Sequence, residues 1–274
     1  MLCLPVKRIT SRQNPIVTTF RSAVKSDKTN RRHLLLEGVR LIDDALQSGI
    51  RIETAAFSIS VLQKADDRLQ KLLEQLKNTG TELLSVSSPV LSAMSPTKSP
   101  SGSIALGQFK STQVEHIFNN SGPVLLPIGV QDAGNVGAII RAADGGEASG
   151  VIIGSDSADP FGWKALRGGM GSTFRLPIAS IEDPQTALTI AKTKNFPVFC
   201  AVPNDGLSIY DMNLRTPCLI LIGGETAGVP DSLLAQSDQK ISIPMKPKVN
   251  SLNAAVAAAV IVYEAYRQRT FSKK

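Results

Sequence analysis

The chain of 274 residues holds only two histidines, three cysteines, three tyrosines and one tryptophan. With so little imidazole, His33 and His116, a Ser/His or Cys/His nucleophilic site has almost nothing to be built from. Cys3, Cys200 and Cys218 show no paired metal spacing, and no metal site is expected. Cys200 and Cys218 sit in the apolar runs FPVFCAV and PCLILIG, where a thiol reads as buried and reduced. No apolar run reaches the ~18–20 residues that span a bilayer. The opening MLCLPVKRIT offers no apolar h-region of usable length, so no signal peptide is expected and the cytoplasm is the expected compartment. Nucleotide motifs are also missing. No G-x-G-x-x-G follows the apolar run at 124–130, and GGETAG at 223–228 lacks the Lys-Ser/Thr of a phosphate-binding loop. A dinucleotide-dependent enzyme of doubly wound type is thereby disfavoured, though it stays among the alternatives.

What is present describes a globular protein with a sizeable core, 42% apolar and 19% charged. The net charge of +7 is unevenly placed. Residues 1–110 carry sixteen Lys/Arg against nine Asp/Glu, whereas residues 111–274 carry fourteen of each. The excess falls within the first 32 residues, where Lys7, Arg8, Arg12, Arg21, Lys25, Lys28, Arg31 and Arg32 face Asp27 alone. Such a cluster suits a polyanion, RNA or DNA first; a solvated terminal arm is the plainer reading.

Two regions differ in pattern. Over 1–110, Asn14-Pro15 opens a helix, LLLEG and TAAFSI read as strands, and Leu69, Leu72, Leu73 and Leu76 mark one helix face. A Ser/Pro-rich loop, 95–103, precedes the strand SIALGQF. Residues 111–123 are polar and read as a linker. From 124 on, the runs VLLPIGV, VIIG, FPVFCAV, CLILIGG and KISIP alternate with helical stretches near 135–147, 160–170, 184–193 and 230–236. Apolar strands alternating with helices imply a mostly parallel sheet covered on both faces, over 124–274.

In such sheets ligands bind beyond the carboxyl ends of the strands. Three loops there carry functional groups: QDAGNVGAIIR (131–141), GGETAGVP (223–230) and IPMKPKVNSLN (243–253). Asn135, Ser251 and Asn253 could each be no more than a helix cap. Arg141 lies inside the helix that Asn135 precedes, and Glu225 follows a Gly pair that lets a ligand approach the backbone. Together they suggest a pocket for a polar ligand and a polyanion. The Ala-rich helix after Asn253 would let another backbone pack closely.

These residues resemble the three signature motifs of the SpoU-type (TrmH-like) branch of the SPOUT RNA methyltransferases. NVGAIIRAAD is similar to the first, LIGGETAGVP to the second and IPMKPKVNSLNAAVAAAVIVYEA to the third. ITSRQNPIV, HLLLEGVRLIDDAL and GSIALGQF resemble the RNA-binding domain that precedes the catalytic one in many members. The resemblance implies an α/β protein, a small RNA-binding domain followed by a parallel-sheet SPOUT domain closed by a trefoil knot. It implies a homodimer that transfers methyl from S-adenosylmethionine to a ribose 2′-hydroxyl, in ribosomal RNA before transfer RNA. A non-catalytic RNA-binding or ribosome-assembly factor with the same fold is the alternative. Asn135, Arg141, Glu225, Ser251 and Asn253 are implied as polar site residues, and the backbone around Leu221, Gly223, Gly224, Ile243, Met245 and Leu252 as the cofactor cradle. The chain departs from the pattern at Ala133, where Pro is common, and at Gly224 and Asn250, where Asn and Glu are frequent. GGEASG (145–150) also lacks the usual aromatic.

Overall fold

The structure, a computed structural model, describes residues 6–26, 31–108 and 112–271. The chain divides into two compact units. One comprises residues up to Lys110 together with Phe161–Arg167; the other comprises Ser111–Pro160 and Gly168–Lys274.

The N-terminal part runs β1 (Lys7–Ile9), α1 (Pro15–Lys25), β2 (His33–Glu37), α2 (Val39–Gln47), β3 (Ile52–Ser58), α3 (Ile59–Gln63), α4 (Asp67–Asn78), β4 (Glu82–Val86), α5 (Ser88–Met94) and β5 (Ser103–Gln108). Its five strands lie in the order β1-β4-β3-β5-β2. The sheet is mixed: β4 runs parallel to β1 and β3, while β5 is antiparallel to both its neighbours. Asn14 caps α1 by accepting from the Ile16 N–H at 3.1 Å, and Pro15 supplies the preset φ of a first helical residue. Val17 and Phe20 turn the apolar face of α1 into the core, beside Val90 and Met94 of α5. Much of the basic N-terminal stretch is therefore ordered. Lys7 and Arg8 stand on the edge strand β1, and Arg21 and Lys25 on α1. Lys28 lies outside the described residues, as does Cys3.

Further along come α6 (Val114–Ile117), β6 (Val124–Ile128), α7 (Ala133–Gly145), β7 (Gly150–Ile153), α8 (Trp163–Gly169), α9 (Ser172–Arg175), β8 (Ile178–Ser180) and α10 (Gln185–Thr193). They are followed by β9 (Val198–Ala201), β10 (Leu207–Ser208), β11 (Leu219–Gly223), α11 (Asp231–Leu234), β12 (Gln239–Ser242) and α12 (Ala254–Thr270). Seven strands form one sheet in the order β10-β12-β9-β11-β6-β7-β8, and every neighbouring pair is parallel. The central strands β6 and β11 are buried on both faces, which is why their sequences are unbroken apolar runs.

The segment read as a linker is not one. Val114, Ile117 and Phe118 are buried in the core of the second unit, beside Val124 and Leu188. Their i, i+3, i+4 spacing is a short amphipathic turn set among polar residues.

From β12 the chain crosses the strand ends through 243–253, and α12 then packs along α7. Small residues permit the close approach. A Cβ on Gly146 would lie 2.2 Å from Cγ1 of Val262 and 3.5 Å from its carbonyl carbon. Arg269 fastens the far end, its Nη2 donating to the Gly146 and Glu147 carbonyls at 2.9 and 3.0 Å. The partner expected for the Ala-rich helix is thus α7 of the same chain.

Burial raises the thiol of Cys200 to a pKa of about 11 and that of Cys218 to about 12. At pH 7 roughly one molecule in ten thousand or fewer would carry a thiolate at either position. Both should resist iodoacetamide in the native protein and alkylate fully in urea, as read residue by residue by mass spectrometry. Fast labelling of either in the folded protein would contradict this burial.

Candidate active site

The carboxyl ends of β9, β11 and β12 and the start of α12 enclose a cavity of about 220 Å³. Its wall is largely apolar, with Ile222, Ile241, Ile243, Met245, Leu252 and Ile261 prominent. Gly223, Gly224 and Gly228 leave bare backbone at one side, and Ala254 and Ala257 keep the helical side thin. Glu225 is the one ionisable residue of the lining and Ser251 the one hydroxyl.

The Gly pair is a packing requirement. Gly224 donates its N–H to the Ile128 carbonyl at 2.8 Å and bridges to Gly228, folding the loop back on itself. A Cβ at Gly224 would lie 1.9 Å from the carbonyl oxygen of Gly129. No side-chain rotation relieves a clash with backbone, so a residue with a Cβ does not fit here. Gly224→Asn is expected to cost at least about 1–3 kcal/mol of overpacking. Thermal melting should show the loss, along with weakened cofactor binding; an unchanged melt would mean the loop moves freely.

Beside the cavity, three side chains from the three loops form one row. Asn135 Nδ2 donates to Glu225 Oε1. Asn253 Nδ2 donates to Asn135 Oδ1 at 3.2 Å. Asn253 Oδ1 in turn accepts from the N–H groups of Ala255 and Val256, at 2.9 and 3.3 Å, capping α12. The polarity of the row follows from its acidic end. An ionised carboxylate only accepts, so Asn135 must present its NH₂ to Glu225 and its oxygen to Asn253. Asn253 then presents its own NH₂ and keeps its oxygen for the helix. Cap and site are the same side chain.

The helix that carries Asn135 begins earlier than expected. Asp132 is its cap, accepting from the N–H groups of Gly134 and Asn135 at 2.6 and 3.0 Å. Asn135 is therefore inside the first turn, and its amide is free to join the row. Arg141 is not brought to it. Six residues along an α-helix place it about 240° around and roughly 9 Å further on. It is exposed and outside the cavity lining, and its side chain makes no hydrogen bond or ion pair among the described residues.

At Leu221 the resemblance implies a contribution from the backbone, not from the side chain. Its side chain is fully buried in the core with Leu126 and Leu188, and its neighbour Ile222 faces the cavity. Adjacent residues on a strand point to opposite faces, so one of the two had to miss. The wall formed by Ala201, Val202 and Pro203 was not anticipated at all. Its one signal is position, at the carboxyl end of the strand lying between β11 and β12.

An all-parallel sheet bearing an apolar cavity and a fixed row of amides at its carboxyl edge defines an α/β enzyme that binds a small cofactor there. The chain belongs to the SpoU rRNA methylase family, which it matches over residues 123–263. Residues 23–105 match the MRM3-like substrate binding domain. The chain is 30% identical over 260 residues to the 23S rRNA (guanosine(2553)-2′-O)-methyltransferase RlmP of Bacillus subtilis, covering 94% of this chain and 98% of that one. The AdoMet-bound rRNA methyltransferase of Sinorhizobium meliloti superposes with a TM-score of 0.84 at 27% identity, covering 97% and 99%. The SpoU methyltransferase AviRb of Streptomyces viridochromogenes, in complex with AdoMet, gives 0.84 at 26%, covering 95% and 100%.

Proposed function

We propose that the protein transfers a methyl group from S-adenosylmethionine to a ribose 2′-hydroxyl of ribosomal RNA. The row Glu225–Asn135–Asn253 beside an apolar cavity is the observation that carries this reading. The lining suits the cofactor: Ile222, Ile241 and Leu252 offer apolar surface to an adenine, and the bare backbone at Gly223 and Gly228 lets polar atoms approach. Gly224, Ile243 and Met245 complete the cradle, and the Glu225 carboxylate at the rim complements a cationic ligand. The cofactor supplies an electrophilic methyl on a sulfonium. This chain must orient the ribose hydroxyl toward it and accommodate the negative charge that develops on oxygen. Asn135, held by partners on both sides, fixes the donors of the row before substrate arrives, which is where electrostatic preorganisation acts. Ser251 lies on the wall next to Asn253 and is assigned to the same polar group.

Arg141, exposed and unengaged among the described residues, is assigned to the RNA. A protonated guanidinium can grip a phosphate through two parallel N–H bonds and stabilise the nascent alkoxide. The proton then passes to water or to a phosphate oxygen. No transfer RNA substrate is required by any feature of the site.

The working form is a homodimer. On α12, Val256 and Tyr263 stay exposed, Tyr263 at 50%, and Phe271 just beyond the helix is 66% exposed. Aromatic surface of this kind on one helix is typical of an interface. No helix among the described residues is long and apolar enough to cross a membrane, and the reading places the protein in the cytoplasm with its substrate.

Thermal shift tests the cofactor assignment. S-adenosylmethionine and S-adenosylhomocysteine should each raise the melting temperature, while NADH should leave it unchanged. A shift with NADH alone would favour the dinucleotide reading. Sedimentation velocity should return twice the chain mass, and a monomer at micromolar concentration would remove the dimer from the account.

A further inference from the structure

Gly134, Gly137, Arg141 and Asp144 follow one another along α7 at i, i+3, i+7 and i+10, a single stripe of that helix. The turn from α8 to α9 lies flat on the first part of the stripe. A Cβ on Gly168 would lie 3.3 Å from the Gly134 carbonyl oxygen and 3.5 Å from the Gly137 Cα, so backbone meets backbone there. This contact carries α9 alongside α7, and Arg175, its last residue, reaches Asp144. Arg175 Nε and Nη2 both donate to Asp144 Oδ2, at 3.1 and 2.7 Å. Nη2 also donates to Oγ of the buried Ser172 at 3.2 Å.

Asp144 has a second guanidinium within its reach. Arg141 precedes it by three residues, a spacing at which side chains on a helix surface meet. Gly137, Ala138 and Gly145 hold the other positions three and four residues from Arg141, so Asp144 is the one acid its own helix offers it. Asp144 also lies in the last turn of α7, where the helix dipole disfavours a carboxylate unless a cation offsets it. Arg175 supplies that cation, and Arg141 is left uncommitted. The pair does little for stability. Its side chains are 49% and 23% exposed, Arg175 and Asp144 respectively, and exposed ion pairs contribute little. What it decides is which guanidinium the carboxylate takes.

We propose that Arg175 is a positioning residue for methyl transfer. By occupying Asp144 it keeps Arg141 free for an RNA phosphate, and it cancels a negative charge that would repel that phosphate. The inference rests on the assignment of Arg141 to the RNA made above, and one arm of its test needs no turnover.

The test compares wild type with Arg175→Gln, Asp144→Asn, Asp144→Asn/Arg175→Gln and Arg175→Lys in methyl transfer to ribosomal RNA. Arg175→Gln leaves Asp144 to Arg141. Its kcat/KM for RNA should fall about fivefold, the size expected of one uncompensated charge beside a phosphate site. Asp144→Asn and the double variant should stay within about twofold of wild type, because the competing carboxylate is gone in both. Arg175→Lys, which keeps a cation on Asp144, should do likewise, and every variant should melt within a few degrees of wild type. The second arm follows modification of Arg141 by phenylglyoxal, read by peptide mass spectrometry. Arg141 should react several-fold more slowly in Arg175→Gln than in wild type, and at the wild-type rate in the double variant. Full efficiency or an unchanged Arg141 rate in Arg175→Gln would overturn the proposal. A double variant no better than Arg175→Gln would also overturn it, since Arg175 would then touch RNA itself or serve structure alone. So would a loss in Asp144→Asn as deep as in Arg175→Gln, because the intact pair would then be the requirement. If the phenylglyoxal pattern holds in a protein that never methylates RNA, the role of Arg175 stands and the reaction assigned above fails.

Discussion

Asn253→Asp is expected to melt within about 2 °C of the wild type and to lose about a hundredfold in single-turnover methyl transfer. The carboxylate that replaces the amide still accepts from the N–H groups of Ala255 and Val256, and a negative charge at a helix N-terminus is favourable. What it cannot do is donate to Asn135 Oδ1, the bond of 3.2 Å in the native row. Asn135 would then lie between two acceptors with a single NH₂, and its orientation would be lost. Removing one preorganised donor from an active site costs on the order of a hundredfold. Glu225→Ala should behave alike, since Glu225 caps no helix and is exposed. Asn253→Ala should lose the activity and about 1 kcal/mol of stability together. Full activity in Asn253→Asp would reduce Asn253 to a cap.

The second large effect is at Arg141. Arg141→Ala should lower methyl transfer by roughly 10²–10³-fold, the range seen when a charge-stabilising donor is removed, and should leave the melt unchanged because the side chain is exposed. Arg141→Lys should fall between, since an ammonium keeps the charge but not the planar fork. The competing idea is that a neutral guanidine acts as general base. A guanidinium stays protonated far above neutral pH, so holding it neutral at pH 7 would cost several kcal/mol. An exposed side chain has no low-dielectric surroundings to meet that cost. Measured across pH 6–10, the Lys variant should stay above the Ala variant throughout. Equal inactivity of both, with guanidine rescue of Arg141→Ala only at high pH, would establish the base instead.

The sequence made the central strands and the three loops legible for clear reasons. β6 and β11 are apolar on both faces, and a continuous apolar run bounded by Gly or Pro marks such a strand. The same continuity concealed which of Leu221 and Ile222 faces the cavity, because no polar residue sets the alternation. β1 was hidden by Lys7 and Arg8: on an edge strand only Ile9 needs to be buried. The two residues of β10 join the sheet through β12 and have no periodicity to detect. Asp132 and Asn135 are both good caps three residues apart, and only the backbone decides between them. Ala201–Pro203 carry no functional group, so their place in the wall comes from topology alone.

Mapped methyl transfer is the direct test of the assigned reaction. Protein-free ribosomal RNA, assembled ribosomal subunits and total RNA should each be incubated with the protein and S-adenosylmethionine labelled in the methyl group, then digested in alkali. A methylated 2′-oxygen cannot attack the neighbouring phosphate, so the account predicts one labelled, alkali-resistant bond in ribosomal RNA, absent with Asn253→Asp or Glu225→Ala. Label recovered on a base, or no label in any RNA while S-adenosylmethionine binds normally, would contradict it.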